Sequence, residues 1–94
     1  MAIARVVSFE GVGPERVAEL QREIGEGGRP EGVPASEIIM LHDPDAQKML
    51  VLLFFDSESD YQQGDEVLDA MPADDTPGRR TAVQRYDVAV RSTA

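Results

Sequence analysis

Met49-Leu50-Val51-Leu52-Leu53-Phe54-Phe55 is the longest apolar run in the chain, and apolar and polar residues do not alternate within it. A strand with one face in water carries polar residues at every second position. A run without them reads as a strand covered on both faces. Working outward, Gln47 to Asp56 forms the whole strand. Asp43-Pro44-Asp45-Ala46 before it reads as a tight turn: Pro44 presets φ for the second position, and Asp43 can accept hydrogen bonds from the backbone ahead of it. Ser36 to His42 is then the partner strand of a hairpin, with Ile38, Met40 and His42 on one face and Ile39 and Leu41 on the other.

The same kind of reading extends to both ends. Ile3 to Phe9 is rich in β-branched and aromatic residues and predicts a first strand. Gly11-Val12-Gly13 breaks it. Pro14 suits the first turn of a helix, where its missing N–H costs nothing, and Glu15 favours the positive end of the helix dipole. Val17, Leu20 and Ile24 form the apolar stripe of that helix. Gly25, Gly27 and Gly28 end it, and a Gly/Pro-rich connection runs to Pro34. Beyond the central strand, Ser57-Glu58-Ser59-Asp60 opens a second helix with Ser57 as its cap. Its stripe is Tyr61, Gly64, Leu68 and Met71, with Val67 beside it. Pro72 stops it, Ala73 to Gly78 is a loop, and Thr81 to Val90 is the last strand.

This order is βαββαβ, the split-βαβ or ferredoxin-like plan: one α+β domain over residues 1–94, with a four-stranded antiparallel sheet and two helices. Right-handed crossovers put both helices on one sheet face. The doubly apolar third strand is central in this plan, so its second face needs cover that 94 residues do not supply. A second copy packed sheet to sheet supplies it, which predicts a homodimer through the open sheet face.

The element order, the length and the doubly apolar third strand resemble the dimeric α/β-barrel superfamily. That group includes monooxygenases of the antibiotic-biosynthesis type and small stress-responsive barrel proteins. The stretches Tyr61-Gln-Gln-Gly-Asp-Glu-Val-Leu-Asp-Ala-Met-Pro72 and Asp75-Thr-Pro-Gly-Arg-Arg80 look like those of its short, uncharacterised actinobacterial-type members. The resemblance implies a dimeric barrel with a pocket between sheet and helices. Monooxygenases of the superfamily typically use Asn, Trp or His around such a pocket. This chain has no Trp and no Asn, and its one histidine is His42.

Composition narrows the chemistry. There is no cysteine, which excludes disulfides, thiolate nucleophiles and Cys-ligated metals. The net charge of −9 disfavours nucleic acid and anionic membranes. The N-terminus lacks a basic segment followed by an apolar run, and no apolar run approaches the roughly 20 residues that span a bilayer. The expected location is cytoplasmic. No cofactor motif is present: Gly11-Val-Gly13 lacks the third Gly and the Lys of nucleotide-binding loops.

Several residues are candidates for a site. His42 reads as a general base at the end of the second strand, or as a strand-end residue flanking a hairpin turn. Arg5 and Arg85, with Asp87, are charged residues inside neighbouring strands. They form a polar patch for an anionic ligand, or an exposed or interface salt bridge. Tyr61 and Tyr86 are the remaining ligand-binding candidates, or core residues. Asp65, Glu66 and Asp69, of which Asp65 and Asp69 share a helix face at i, i+4, serve either for a divalent cation or as a solvated surface. Pro77-Gly78-Arg79-Arg80 binds an anion or neutralises the acidic helix. The expected function is a small homodimeric barrel protein that binds a small molecule or serves as an interaction module. The alternative is a cofactor-independent monooxygenase or isomerase acting on a small aromatic or polyketide-like substrate.

Overall fold

In the computed structural model, which describes residues 2–25, 27, 31–72 and 76–92, the apolar run forms β3 (Lys48–Phe55). It lies between β2 (Glu37–Asp43) and β1 (Ile3–Glu10), and β4 (Arg79–Asp87) closes the far edge. The sheet order is β2-β3-β1-β4, with every neighbouring pair antiparallel. Helices α1 (Pro14–Gly25) and α2 (Glu58–Asp69) complete the order β-α-β-β-α-β, the ferredoxin-like plan. Among the described residues, no helix is long and apolar enough to cross a membrane.

Local chemistry accounts for the boundaries. Asp43 Oδ1 accepts hydrogen bonds from the backbone N–H groups of Asp45 and Ala46, each at 3.1 Å, and so builds the hairpin turn as its residue types imply. Because Asp43 itself pairs with Lys48, β2 ends one residue later than expected. Ser57 caps α2: its hydroxyl accepts from the Asp60 N–H at 3.2 Å while its own backbone is extended. The last strand is displaced toward the N-terminus of the expected range. A bulge between Ser8 and Phe9 lets Arg80 and Arg79 pair with Phe9 and Glu10, which extends the start. At the other end β1 begins at Ile3, opposite Asp87, so pairing stops there but for one bond from the Val88 N–H to the Ala2 carbonyl. Gly25 lies within α1, and the expected break at Gly28 and Pro30, like Ala73 to Asp75 of the second loop, falls outside the described residues.

The two sheet faces differ. On the helix side, Ile3, Val7, Phe9, Met49, Val51, Leu53 and Phe55 are buried, joined by Leu20 of α1 and Tyr61 of α2. On the other side, Leu50, Leu41 and Ile39 are 39%, 51% and 36% exposed. Residues 88–92 turn back across this open face at one end: the Arg91 guanidinium lies 4.8 Å above the Phe54 ring and 3.6 Å from the Glu37 carboxylate. The strand register arranges the face in rows. Ile39, Leu52, Val6 and Gln84 form one, and Leu41, Leu50, Ser8 and Ala82 the next. Beyond them lies Asp43, Lys48, Glu10 and Arg79, alternating in sign, with Arg79 and Glu10 hydrogen-bonded.

Candidate functional site

Helix α2 packs directly on β1 and β3, whereas α1 keeps a looser approach to the sheet. The space between them is a cleft of about 510 Å³. Its floor is Val7, Phe9, Val51, Leu53, Ile38 and Met40, its walls are Leu20 and Ile24 on one side and Leu68 and Met71 on the other, and Arg5, Arg16 and Arg80 border it. That size lies within the range of ligand pockets, roughly 300–1,000 Å³. The floor is apolar because alternate residues of three strands face the helices. At the rim, Arg16 donates to the Thr76 carbonyl at 3.3 Å and to Glu19 at 3.1 Å, which ties α1 to the segment leading into β4.

The polar end of the cleft is an ion network. Arg5 sits mid-strand on the helix side and is 2% exposed. A buried guanidinium without partners is costly, and α2 supplies them: Arg5 Nε donates to Asp65 at 2.8 Å and Arg5 Nη2 to Asp69 at 3.1 Å. Arg80 Nη1 donates to the same Asp69 oxygen at 3.0 Å. At the other end of α2, Arg85 makes a two-pronged pair with Glu58, both contacts at 2.8 Å. That hydrogen-bonded pairing holds the Glu58 carboxyl below its ordinary range. The acidic helix is therefore matched by three arginines from β1 and β4. Of the three acids expected either to hold a divalent cation or to form a solvated face, Asp65 and Asp69 are engaged with guanidiniums. Among the described residues no three metal-ligating side chains converge.

Arg5, Arg85 and Tyr61 do lie on one side of the sheet. Tyr61 is buried beneath α2, edge-on to Phe55 with ring centres 5.5 Å apart, and the Arg85 guanidinium stands 4.8 Å from its ring centre. Tyr86 is on the opposite face, 51% exposed, with its hydroxyl donating to Gln84 at 3.2 Å. The structure therefore does not bring all four ligand-binding candidates together, and only Arg5 of the four borders the cleft. His42 lies in an adjoining, smaller groove of about 290 Å³ between α1 and β2, which shares Leu20, Ile24, Ile38 and Met40 with the cleft. Its Nε2 is 2.8 Å from the Val12 carbonyl. A carbonyl only accepts, so Nε2 carries the proton, and the bond ties β2 to the turn before α1.

Burial pushes the Tyr61 phenol above its ordinary value, with the Asp65 carboxylate adding to the effect. The folded protein then holds this proton more tightly than the unfolded chain. Stability from this group is complete below the ordinary tyrosine pKa of about 10 and falls as pH rises beyond it. Urea unfolding of Tyr61→Phe is expected to show a shallower alkaline decline than the unaltered protein. Equal slopes above about pH 10 would remove Tyr61 as the source.

No protein-family model, no curated protein and no solved structure matches the chain.

Proposed function

We propose that this chain is a homodimeric barrel protein of the dimeric α/β-barrel type, and that it binds a small molecule in the cleft between α1, α2 and the sheet. The observation that carries this reading is the cleft itself: about 510 Å³, apolar on floor and walls, with charged groups gathered at its edges. A core closed by both helices would have filled that space with side chains, because protein interiors are close-packed. The place of the one histidine favours a binding role over a catalytic one. His42 lines the adjoining groove rather than the cleft itself, with one ring nitrogen committed to the Val12 carbonyl.

The dimer is supported by the other face. Two apolar rows through Ile39, Leu52, Val6, Leu41 and Leu50 are bounded by a charged row at one end and by residues 88–92 at the other. The charged row alternates in sign, which suits a self-complementary contact better than one with a partner of single charge. A second copy covers the rows without any further chain.

Native mass spectrometry of the protein from its own host tests both parts. The expected species is a dimer carrying a retained small molecule, and a ligand-free monomer sinks the proposal. Leu50→Glu places a carboxylate in the middle of the apolar rows. It is expected to weaken dimerisation by roughly 100-fold in sedimentation while leaving the circular dichroism unchanged. A Leu50→Glu protein that still dimerises like the parent would place the interface elsewhere.

A further inference from the structure

We infer that the cleft selects uncharged, largely apolar molecules that carry one hydrogen-bond acceptor of the carbonyl type, and that Arg5 Nη1 is the donor that receives it. This rests on the small-molecule reading of the cleft given above.

Three observations converge. The first is the state of Arg5. Its Nε and Nη2 are turned toward Asp65 and Asp69, and no acceptor among the described residues lies within hydrogen-bond reach of its Nη1. No buried side-chain nitrogen of the described residues lacks a partner, so Nη1 touches open space. The space that Arg5 borders is the cleft. A side chain only 3% exposed thus keeps an unengaged pair of N–H donors at the end of an apolar cavity.

The second is charge. Arg5 and Arg80 are cations, Asp65 and Asp69 are anions, and the four are linked in one network. They cancel. A guanidinium already balanced in this way offers a strong hydrogen bond but little net attraction for an anion. At the rim Arg16 pairs with Glu19 and Glu23 and leaves no free cation there, and a chain charge of −9 opposes an anion further. The third is the lining. Val7, Leu53 and Leu68 offer no polar partner, so a ligand with many polar groups would leave them unpaired on burial. An acceptor over this floor finds no donor, and one is satisfied only at the charged edge where Arg5, Arg16 and Arg80 stand.

Three probes of nearly equal shape separate the alternatives: acetylnaphthalene, isopropylnaphthalene and naphthoate. Hydrophobicity alone ranks the hydrocarbon first. Hydrogen bonds to charged donors are among the stronger ones in proteins, so the expected order reverses. In titration calorimetry, acetylnaphthalene binds at least about tenfold more tightly than either of the others. Arg5→Met is expected to erase that advantage while the hydrocarbon still binds. A readout that needs no variant is the infrared carbonyl stretch of bound acetylnaphthalene. It is expected to fall below its position in hydrocarbon solvent. Equal or tighter binding of isopropylnaphthalene, or an unshifted carbonyl band, overturns the role of Arg5 and leaves the cleft reading standing. Naphthoate binding most tightly overturns the neutral-ligand selection. Binding of none of the three overturns the cleft reading, and this inference with it.

Discussion

Replacing Asp65 and Asp69 together by asparagine is expected to destabilise the fold by about 2–4 kcal/mol, and more than replacing Arg5 by methionine does. The asymmetry comes from where the charges lie. The Arg5 side chain is 3% exposed, whereas those of Asp65 and Asp69 are 36% and 54% exposed. Removing both carboxylate charges strands a guanidinium in the interior. Breaking a fully enclosed pair in that way costs about 3–5 kcal/mol, and partial access of water on the α2 side lowers the figure. Removing Arg5 instead leaves two carboxylates that water reaches, one of them still paired with Arg80, and this should cost no more than about 1–1.5 kcal/mol. Adding Arg5→Met to the double asparagine variant should then restore most of the lost stability, because the uncompensated charge is gone. Urea denaturation midpoints of the three variants decide the matter. An Arg5→Met protein less stable than the double asparagine variant would mean that Arg5 contributes chiefly by packing.

The same network shows how far the chain could be read. The four strands and two helices were legible because each carries its own periodicity and its own stop signal: Pro14 and Ser57 at helix starts, Asp43-Pro44 at the hairpin, and the unbroken apolar run of β3 at the centre. Arg5 was legible as a charged residue inside a strand, read as part of a ligand patch or an exposed or interface salt bridge, and its burial against α2, which makes partners necessary, was not. The sequence does not say directly which partners. Asp65 and Asp69 stand 60 and 64 positions away, and their spacing fits a solvated helix face, a metal pair or a salt bridge equally well. One signal did point to the answer. Residues 56 to 75 contain eight acids and no base, so an acidic helix opposite arginines on β1 and β4 needed neutralising from within the sheet. The separation of Tyr86 from Arg5, Tyr61 and Arg85 was also implicit in strand alternation, since Arg85 and Tyr86 are neighbours and must point to opposite faces. The cleft was expected only through the resemblance. Its volume depends on how closely α1 approaches the sheet, a distance that periodicity does not encode. The bulge at Ser8 and Phe9, which shifts the β1–β4 register by one residue, has no signature in the residues on either strand.

Gly64→Leu is expected to prevent stable folding, and Gly64→Ala to cost about 1–2 kcal/mol despite its better helix propensity. On an open helix surface the glycine-to-alanine change gains about 1 kcal/mol. Here a Cβ at position 64 would lie 2.5 Å from Phe55 Cε1, 2.7 Å from its Cζ and 3.4 Å from Val33 Cγ1. Phe55 cannot readily give way: its ring is wholly buried and held edge-on by Tyr61. Overpacking of that kind costs roughly 1–3 kcal/mol for a methyl group and outweighs the propensity gain. A leucine has no place between the helix and the ring, so α2 would have to leave the sheet. Asp65 and Asp69 follow Gly64 on α2, so lifting the helix also breaks both contacts to Arg5, and the two losses compound. Their sum is a large share of the roughly 5–15 kcal/mol that holds a domain together. Pairing Gly64→Ala with Phe55→Leu tests the cause. If the ring is the obstacle, the double variant is more stable than the sum of the two single losses allows, with a coupling of about 1 kcal/mol. A Gly64→Ala protein with a raised unfolding midpoint would show that α2 does not approach the sheet this closely. It would also loosen the α2 wall that gives the cleft its shape.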